Sequence, residues 1–132
     1  MSPPIIFPYK VYKGIACPII GLEVRGPKGR LRTEAFVDSG ASISVFLIKE
    51  AGELGIDFQK GKVVYSTVGD GSCIPVYLHK LLIKIGNIPF KATVGFSPKL
   101  GIGFNLLGRK DIFEHFDVTF SDSARTISFA PL

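Results

Sequence analysis

The residues best suited to chemistry lie in the run Phe36-Val37-Asp38-Ser39-Gly40-Ala41-Ser42. A stretch of strand-forming residues ends directly on the carboxylate of Asp38, and the small residues after it allow two backbone segments to approach closely. A carboxylate at the end of a strand, on a tight turn, is held rigidly, as acid–base catalysis requires. The pattern therefore predicts a general acid or base at Asp38.

Two further segments have a pattern that accompanies such a site. The run Phe104-Asn105-Leu106-Leu107-Gly108-Arg109 is predicted to lead into one or two turns of helix over residues 109–115. Between the two segments, the apolar runs 63–68 and 73–78 flank Gly69-Asp70-Gly71-Ser72. This arrangement predicts a β-hairpin with a glycine-rich tip.

In this order, the three elements resemble those of the retropepsin-like (retroviral-type) aspartic peptidases, and the resemblance covers roughly residues 14–120. The Asp-Ser-Gly is similar to the active-site signature, the hairpin to the substrate-covering flap, and Gly108-Arg109 to the motif that closes the fold. Ser42 stands where retroviral enzymes carry a second acid that pairs with this arginine. Ser at this position is more like the cellular, non-viral members, and it leaves Arg109 without its expected partner.

The resemblance implies a role for each matching residue. Asp38 would be catalytic, and its loop would be supported by Ser39, Gly40, Ala41 and Arg109. The Ser39 hydroxyl would hydrogen-bond across a dimer. The residues of the flap that would contact a peptide substrate are Val68, Gly69, Asp70, Gly71 and Ile74.

The resemblance also implies a mechanism that needs two carboxylates across one water, one ionised and one protonated. The chain contains a single Asp-Ser-Gly. The second carboxylate would then come from a second copy, which predicts an obligate homodimer with a two-fold axis between two Asp38 residues.

Length and composition predict one mainly β domain over residues 1–132. The order of its elements fits a closed, barrel-like domain with a short helix after Leu-Leu-Gly-Arg, and the resemblance implies that this is the acid-protease fold. Fifteen glycines and nine prolines separate short apolar runs, as is typical of a chain rich in strands and turns. Residues 48–54 have helical spacing and end at Gly55. Besides the flap, the predicted strands are 5–13, 17–25, 31–37, 43–46, 78–85, 88–96, 117–120 and 126–129.

Several function classes are disfavoured. The 16 basic residues look scattered, so the net charge of +5 suggests solvated faces rather than a nucleic-acid partner. Two separated cysteines and two isolated histidines predict no metal site and no cofactor. The chain shows no membrane-spanning run and no signal peptide, and two cysteines favour a reducing compartment, so a cytoplasmic location is expected.

One alternative function remains on these residues. The same fold could serve as a protein- or peptide-binding module with weak or no catalysis, if the dimer forms poorly or the groove is closed. An intact Asp38-Ser39-Gly40 and a flap favour the peptidase.

Overall fold

The main sheet is formed by the strands that carry the apolar runs. The structure is a computed structural model that describes residues 2–132. Its elements are β1 (Ile5–Pro8), β2 (Lys10–Tyr12), β3 (Ile15–Cys17), β4 (Ile19–Gly26), β5 (Gly29–Val37), β6 (Ser44–Leu47), α1 (Ile48–Leu54), a 3-10 turn (Phe58–Lys60), β7 (Lys62–Thr67), β8 (Cys73–Ile85), β9 (Ile88–Ser97), β10 (Asn105–Leu107), β11 (Phe116–Ser121) and β12 (Thr126–Pro131). The prediction of a mainly β chain is confirmed.

Seven strands form the main sheet in the order β4-β5-β10-β6-β9-β8-β7. β4 also pairs with β8, through Glu23 to Lys84, Val24 to Ile83 and Arg25 to Leu82. Because β4 is hydrogen-bonded to both β5 and β8, the six strands from β4 to β8 in this order form a closed ring of paired strands.

The short strand β10 lies between β5 and β6, and this placement sets the geometry of the Asp38 loop. It pairs in parallel with β5, with Leu107 opposite Val37, and antiparallel with β6, with Leu106 opposite Val45. The segment that joins β5 to β6 must therefore cross the end of β10. Asp38 is the first residue of that crossing segment.

The predicted helix over residues 48–54 is confirmed as α1, and Gly55 ends it in the left-handed conformation with φ of 77°. Its backbone N–H bonds to the carbonyls of Ala51 and Gly52. Ala51 and Leu54 are buried, so the helix packs one apolar face onto the core.

The N-terminal segment differs from the prediction of one strand over 5–13. β1 pairs with β12 in a separate three-stranded sheet, β1-β12-β11, whereas β2 pairs with β3 in a hairpin of its own. Lys13 and Gly14, with φ of 50° and 79°, form the turn of that hairpin. Pro8 is the last residue of β1, where proline supplies no N–H to the ladder, and Tyr9 lies between the two strands.

The prediction of a short helix over residues 109–115 is wrong. This segment consists of consecutive turns, and only the Phe113 N–H reaches back four residues, to the Arg109 carbonyl at 2.9 Å. Asp111 has φ of 65°, which a right-handed helix cannot accommodate. Its carboxylate instead accepts the Thr93 N–H of β9 at 2.8 Å, next to where β6 begins. A tertiary hydrogen bond therefore takes precedence over the local helical tendency.

The main core consists of buried side chains from both sheets and α1, with the largest of them being Phe46, Phe96, Phe116 and Phe129. A second, smaller cluster of Val45, Ile74 and Val76 joins β6 to the base of the hairpin formed by β7 and β8. Within residues 2–132, no helix has the length and apolar character needed to cross a membrane.

Candidate active site

Asp38 follows β5 and is fixed by the backbone on both sides. Its N–H donates to the Leu107 carbonyl at 3.0 Å, and its carbonyl accepts the Ala41 N–H at 3.2 Å. The carboxylate atom Oδ1 accepts the Gly40 N–H at 2.9 Å. The side chain is half-buried, so one carboxylate oxygen is oriented by the turn while the group remains accessible.

The segment after β10 braces this loop through its backbone. The Arg109 N–H donates to the Ala41 carbonyl and the Lys110 N–H to the Ser42 carbonyl, each at 2.9 Å. The Gly108 N–H donates to Ser44 Oγ at 2.9 Å. These three bonds join the two motifs that the sequence separates by about 70 positions.

The Arg109 side chain does not take part in this bracing. It is exposed, and among residues 2–132 its guanidinium makes no hydrogen bond and no ion pair. Position 42 holds a serine instead of the acid that the resemblance leads one to expect. The Arg109 guanidinium that lacks this partner is exposed, not buried. Burial without a partner would have been costly.

The predicted hairpin is formed by β7 and β8, which pair from Lys62 with Leu78 to Thr67 with Cys73. Its tip is closed by two backbone bonds, from the Val68 N–H to the Ser72 carbonyl and from the Gly71 N–H to the Val68 carbonyl, both 2.9 Å. Gly71 has φ of 85°, which favours glycine. Gly69 has no such constraint.

The acid at this tip is engaged locally. Asp70 Oδ1 accepts the Ser72 hydroxyl at 2.5 Å and the Ser72 N–H at 2.9 Å. The hydroxyl bond, followed by the backbone bond, lowers the pKa of Asp70 below its ordinary value. Asp70 is therefore ionised over the physiological range and stiffens the turn.

The Asp38 loop and the hairpin tip face each other across one cleft of about 560 Å³. Its third wall is the irregular loop after β9, through Lys99, Leu100, Gly101 and Ile102. The predicted site residues that line the cleft are Asp38, Gly40, Ala41, Val68, Gly69, Asp70 and Ile74. Ser39, Gly71 and Arg109 do not line it.

The cleft contains one carboxylate at the strand end and one at the hairpin tip. Asp38 lines the cleft, whereas the Asp70 carboxylate is already hydrogen-bonded to the Ser72 hydroxyl. Among residues 2–132, no group of three or more His, Cys, Asp or Glu side chains could hold a metal ion. A single chain thus offers one free, oriented carboxylate to a substrate in this cleft.

Two residues of the run 104–109 hold the site together, and the sequence analysis gave neither of them a role of its own. Asn105 is buried, and its Nδ2 donates to the Glu34 carbonyl at 2.9 Å and to Glu50 Oε1 at 3.2 Å, while its Oδ1 accepts the Leu47 N–H at 2.9 Å. Gly108 is the other, because a Cβ there would lie 2.8 Å from the Ala41 carbonyl oxygen. The signal for Asn105 was an amide inside an otherwise apolar strand, which must find partners when buried.

Comparisons with solved structures agree with this geometry. The chain is similar to a retropepsin-like aspartic protease from Rickettsia conorii, with 21% identity, a TM-score of 0.64, and coverage of 96% of this chain and 89% of that one. It is also similar to the EIAV protease complexed with the inhibitor HBY-793, with 20% identity, a TM-score of 0.56, and coverage of 80% and 92%.

No protein-family profile matches the sequence, and no curated protein matches it. At about one residue in five identical, the likeness lies in the arrangement of the strands rather than in the sequence. The order of the strands and the agreement over nearly the whole length together identify the architecture: this chain has the retropepsin-like fold.

Proposed function

We propose that the protein is an aspartic endopeptidase, active as a homodimer in which each copy contributes one Asp38. The observation that carries the proposal is the position of Asp38, half-buried on the floor of a cleft that the hairpin tip faces. The proteins it resembles in structure are named as proteases. Peptide hydrolysis also requires no metal or cofactor in this mechanism.

The proposed chemistry uses the two carboxylates as one unit. Two carboxyl groups that share one water molecule do not both ionise readily, because their negative charges repel each other. The pair therefore holds one proton. The ionised Asp38 removes a proton from a water molecule, and the protonated Asp38 of the second copy polarises the scissile carbonyl. The Gly40 N–H holds one carboxylate oxygen of each Asp38 in place. Ser39 is proposed to hydrogen-bond between the two loops.

The substrate is proposed to be an extended peptide covered by the hairpin tip. Val68, Gly69 and Asp70 line the upper wall of the cleft, and Ala41 and Ile74 provide apolar contacts within it. An extended peptide is held mainly through its main chain, with side-chain pockets adding selectivity. Gly71 is proposed to permit movement of the tip, and Arg109 to support the Asp38 loop through its backbone.

The first experiment is the Asp38→Asn substitution, measured with a fluorogenic peptide library at mildly acidic pH. We expect cleavage to be lost while the melting temperature stays within a few degrees, because the side chain is half-buried and Asn keeps an oxygen for the Gly40 N–H. Asp57→Asn, at an exposed position outside the cleft, is the matched control and should retain activity. Activity close to that of the wild type in purified Asp38→Asn would exclude the proposed role.

The second experiment tests the dimer. Specific activity should fall on dilution, and excess Asp38→Asn chains should inhibit the wild type by forming inactive mixed dimers. Sedimentation over the same concentrations reports assembly directly. An active monomer would contradict the mechanism, because one chain supplies a single free carboxylate to the cleft.

A peptide-binding module without catalysis is the second candidate. One observation favours it, namely that within a single chain no other free carboxylate joins Asp38 on the floor of the cleft. This candidate predicts peptide binding by a monomer without turnover. Sedimentation combined with the cleavage assay separates the two functions.

A further inference from the structure

The outward face of four neighbouring strands, β5, β4, β8 and β9, collects basic side chains that are scattered in the sequence. We call this surface the basic face; its charged residues are the cations Arg25, Arg30, Arg32, Lys80, Lys84 and Lys91 and the carboxylates Glu23 and Glu34.

The strand register places these side chains on the same side of the sheet. Glu23 pairs directly with Arg32 on β5 and with Lys84 on β8, and Arg25 pairs with Arg30 and Leu82 in the same way. Leu82 in turn pairs with Lys91 on β9. Directly paired residues and residues two apart along a strand share a face.

The face holds most of the excess charge of the protein. Six cations and two carboxylates give it a net charge of +4, against +5 for the whole chain. The ion pair found within residues 2–132 joins Glu34 to Lys10, so none of these six cations has an ionic partner among the described residues. Arg25 and Arg30 are moreover directly opposite each other, an arrangement that is destabilising for like charges.

We propose that the basic face binds a short acidic segment of a protein, rich in Asp or Glu. A bound carboxylate between Arg25 and Arg30 would relieve their repulsion and be held by charge-assisted hydrogen bonds. Leu82, which is 38% exposed, lies beside Arg25 and adds an apolar contact. Four strands span about 14 Å, which matches roughly four residues of extended peptide.

Two features favour an acidic peptide over a nucleic acid. The face has no exposed aromatic side chain on which bases could stack. Glu23 also lies among the cations, where it would repel a continuous line of phosphates but can be avoided by spaced carboxylates.

The basic face is separate from the cleft. None of its residues lines the cleft, and Arg32 precedes Asp38 by six positions, which is about 20 Å along an extended strand. The inference therefore stands whether or not the protein cleaves peptides.

The test measures binding of a fluorescein-labelled hexaglutamate peptide to the Asp38→Asn protein, with a hexaglutamine peptide as the uncharged probe. The Arg25→Ala/Arg30→Ala variant should weaken hexaglutamate binding about tenfold, as expected for two exposed charge contacts. The matched control is Lys13→Ala/Lys62→Ala, which removes the same charge from exposed positions outside the face and should change binding less than twofold. Lys84→Gln/Lys91→Gln is a second variant of the face and should also weaken binding.

The melting temperature of each variant shows whether it is folded, and the loss of the Arg25–Arg30 repulsion should not lower it. No hexaglutamate binding by the folded parent, or equal weakening by the control pair, would overturn the proposal. A 12-base-pair DNA duplex is the third probe. Tighter binding of the duplex than of hexaglutamate, with the same dependence on Arg25 and Arg30, would assign the face to nucleic acid and also overturn it.

Discussion

Gly108 lies directly against the backbone of Ile43, in the loop that carries Asp38. A Cβ at position 108 would overlap the carbonyl group of Ile43 and come within 2.8 Å of the Ala41 carbonyl oxygen. The contacting atoms are backbone, so no side chain can move aside. Glycine at this position is therefore what allows β10 and the Asp38 loop to pack together.

The first prediction is that Gly108→Ala lowers the free energy of unfolding by about 1–3 kcal/mol, the usual cost of overpacking, and reduces cleavage more strongly because it displaces the Asp38 loop. Chemical denaturation and the peptide assay measure the two effects. Gly52→Ala is the control, since a Cβ there meets nothing within 4 Å and alanine favours α1. A Gly108→Ala protein as stable and active as the wild type would show that the loop is not braced here.

The second prediction concerns the buried amide of Asn105. Asn105→Ala removes a partner of the Leu47 N–H, the Glu34 carbonyl and the Glu50 carboxylate at once, and Glu50 keeps only the Thr33 hydroxyl. We expect a loss of about 2–3 kcal/mol in the free energy of unfolding, because the groups left behind are buried or part-buried. Asn87→Ala, in the exposed turn between β8 and β9, should cost less than about 0.5 kcal/mol. Equal effects of the two substitutions in denaturant titrations would argue against the network.

The third prediction concerns the hairpin tip. Gly71→Val should slow peptide turnover several-fold and lower the melting temperature less than a core substitution would, since valine is strained at a φ of 85° but the tip is exposed and buries little. Gly14→Val, which introduces the same strain at an exposed turn outside the cleft, is the matched control and should leave turnover unchanged. Unchanged turnover together with a sharp fall in melting temperature would indicate that the segment stabilises the fold and does not cover the substrate.

The fourth prediction follows from Asp111. Burial alone would raise the pKa of this carboxyl, but the hydrogen bonds from Thr93 and the charges of Lys110 and Lys80 outweigh it and lower the pKa. A lowered pKa contributes stability above the unfolded value, near 3.8, and that contribution is lost as the pH falls through the folded value.

Asp111→Asn keeps both the acceptor and the tolerance for positive φ but removes the charge. Between pH 5 and pH 2, the wild type should therefore lose more of its unfolding free energy than the variant does. Thermal unfolding across this range measures the difference. Parallel curves for the two proteins would contradict the assignment, and Asp117→Asn, at an exposed position, provides the control.

The sequence by itself determined the elements that depend on local chemistry. The spacing of apolar residues and Gly55 were enough to place α1, and the alternation around the glycine-rich tip was enough to place the β7–β8 hairpin. The Asp38 run could be singled out because a run of strand-forming residues ends there on a carboxylate that small residues follow. These features need only neighbours within a few residues.

Tertiary structure decided what depends on contacts between distant residues. Asp111 adopted a left-handed conformation to bond Thr93, so the helix expected after Arg109 became turns. Gly108 proved necessary because of Ile43, which is 65 positions away. The cations of the basic face looked scattered until the register of β4, β5, β8 and β9 placed them side by side. These features cannot be read from a local sequence pattern, because strand pairing and close packing depend on contacts between residues that are far apart in the sequence.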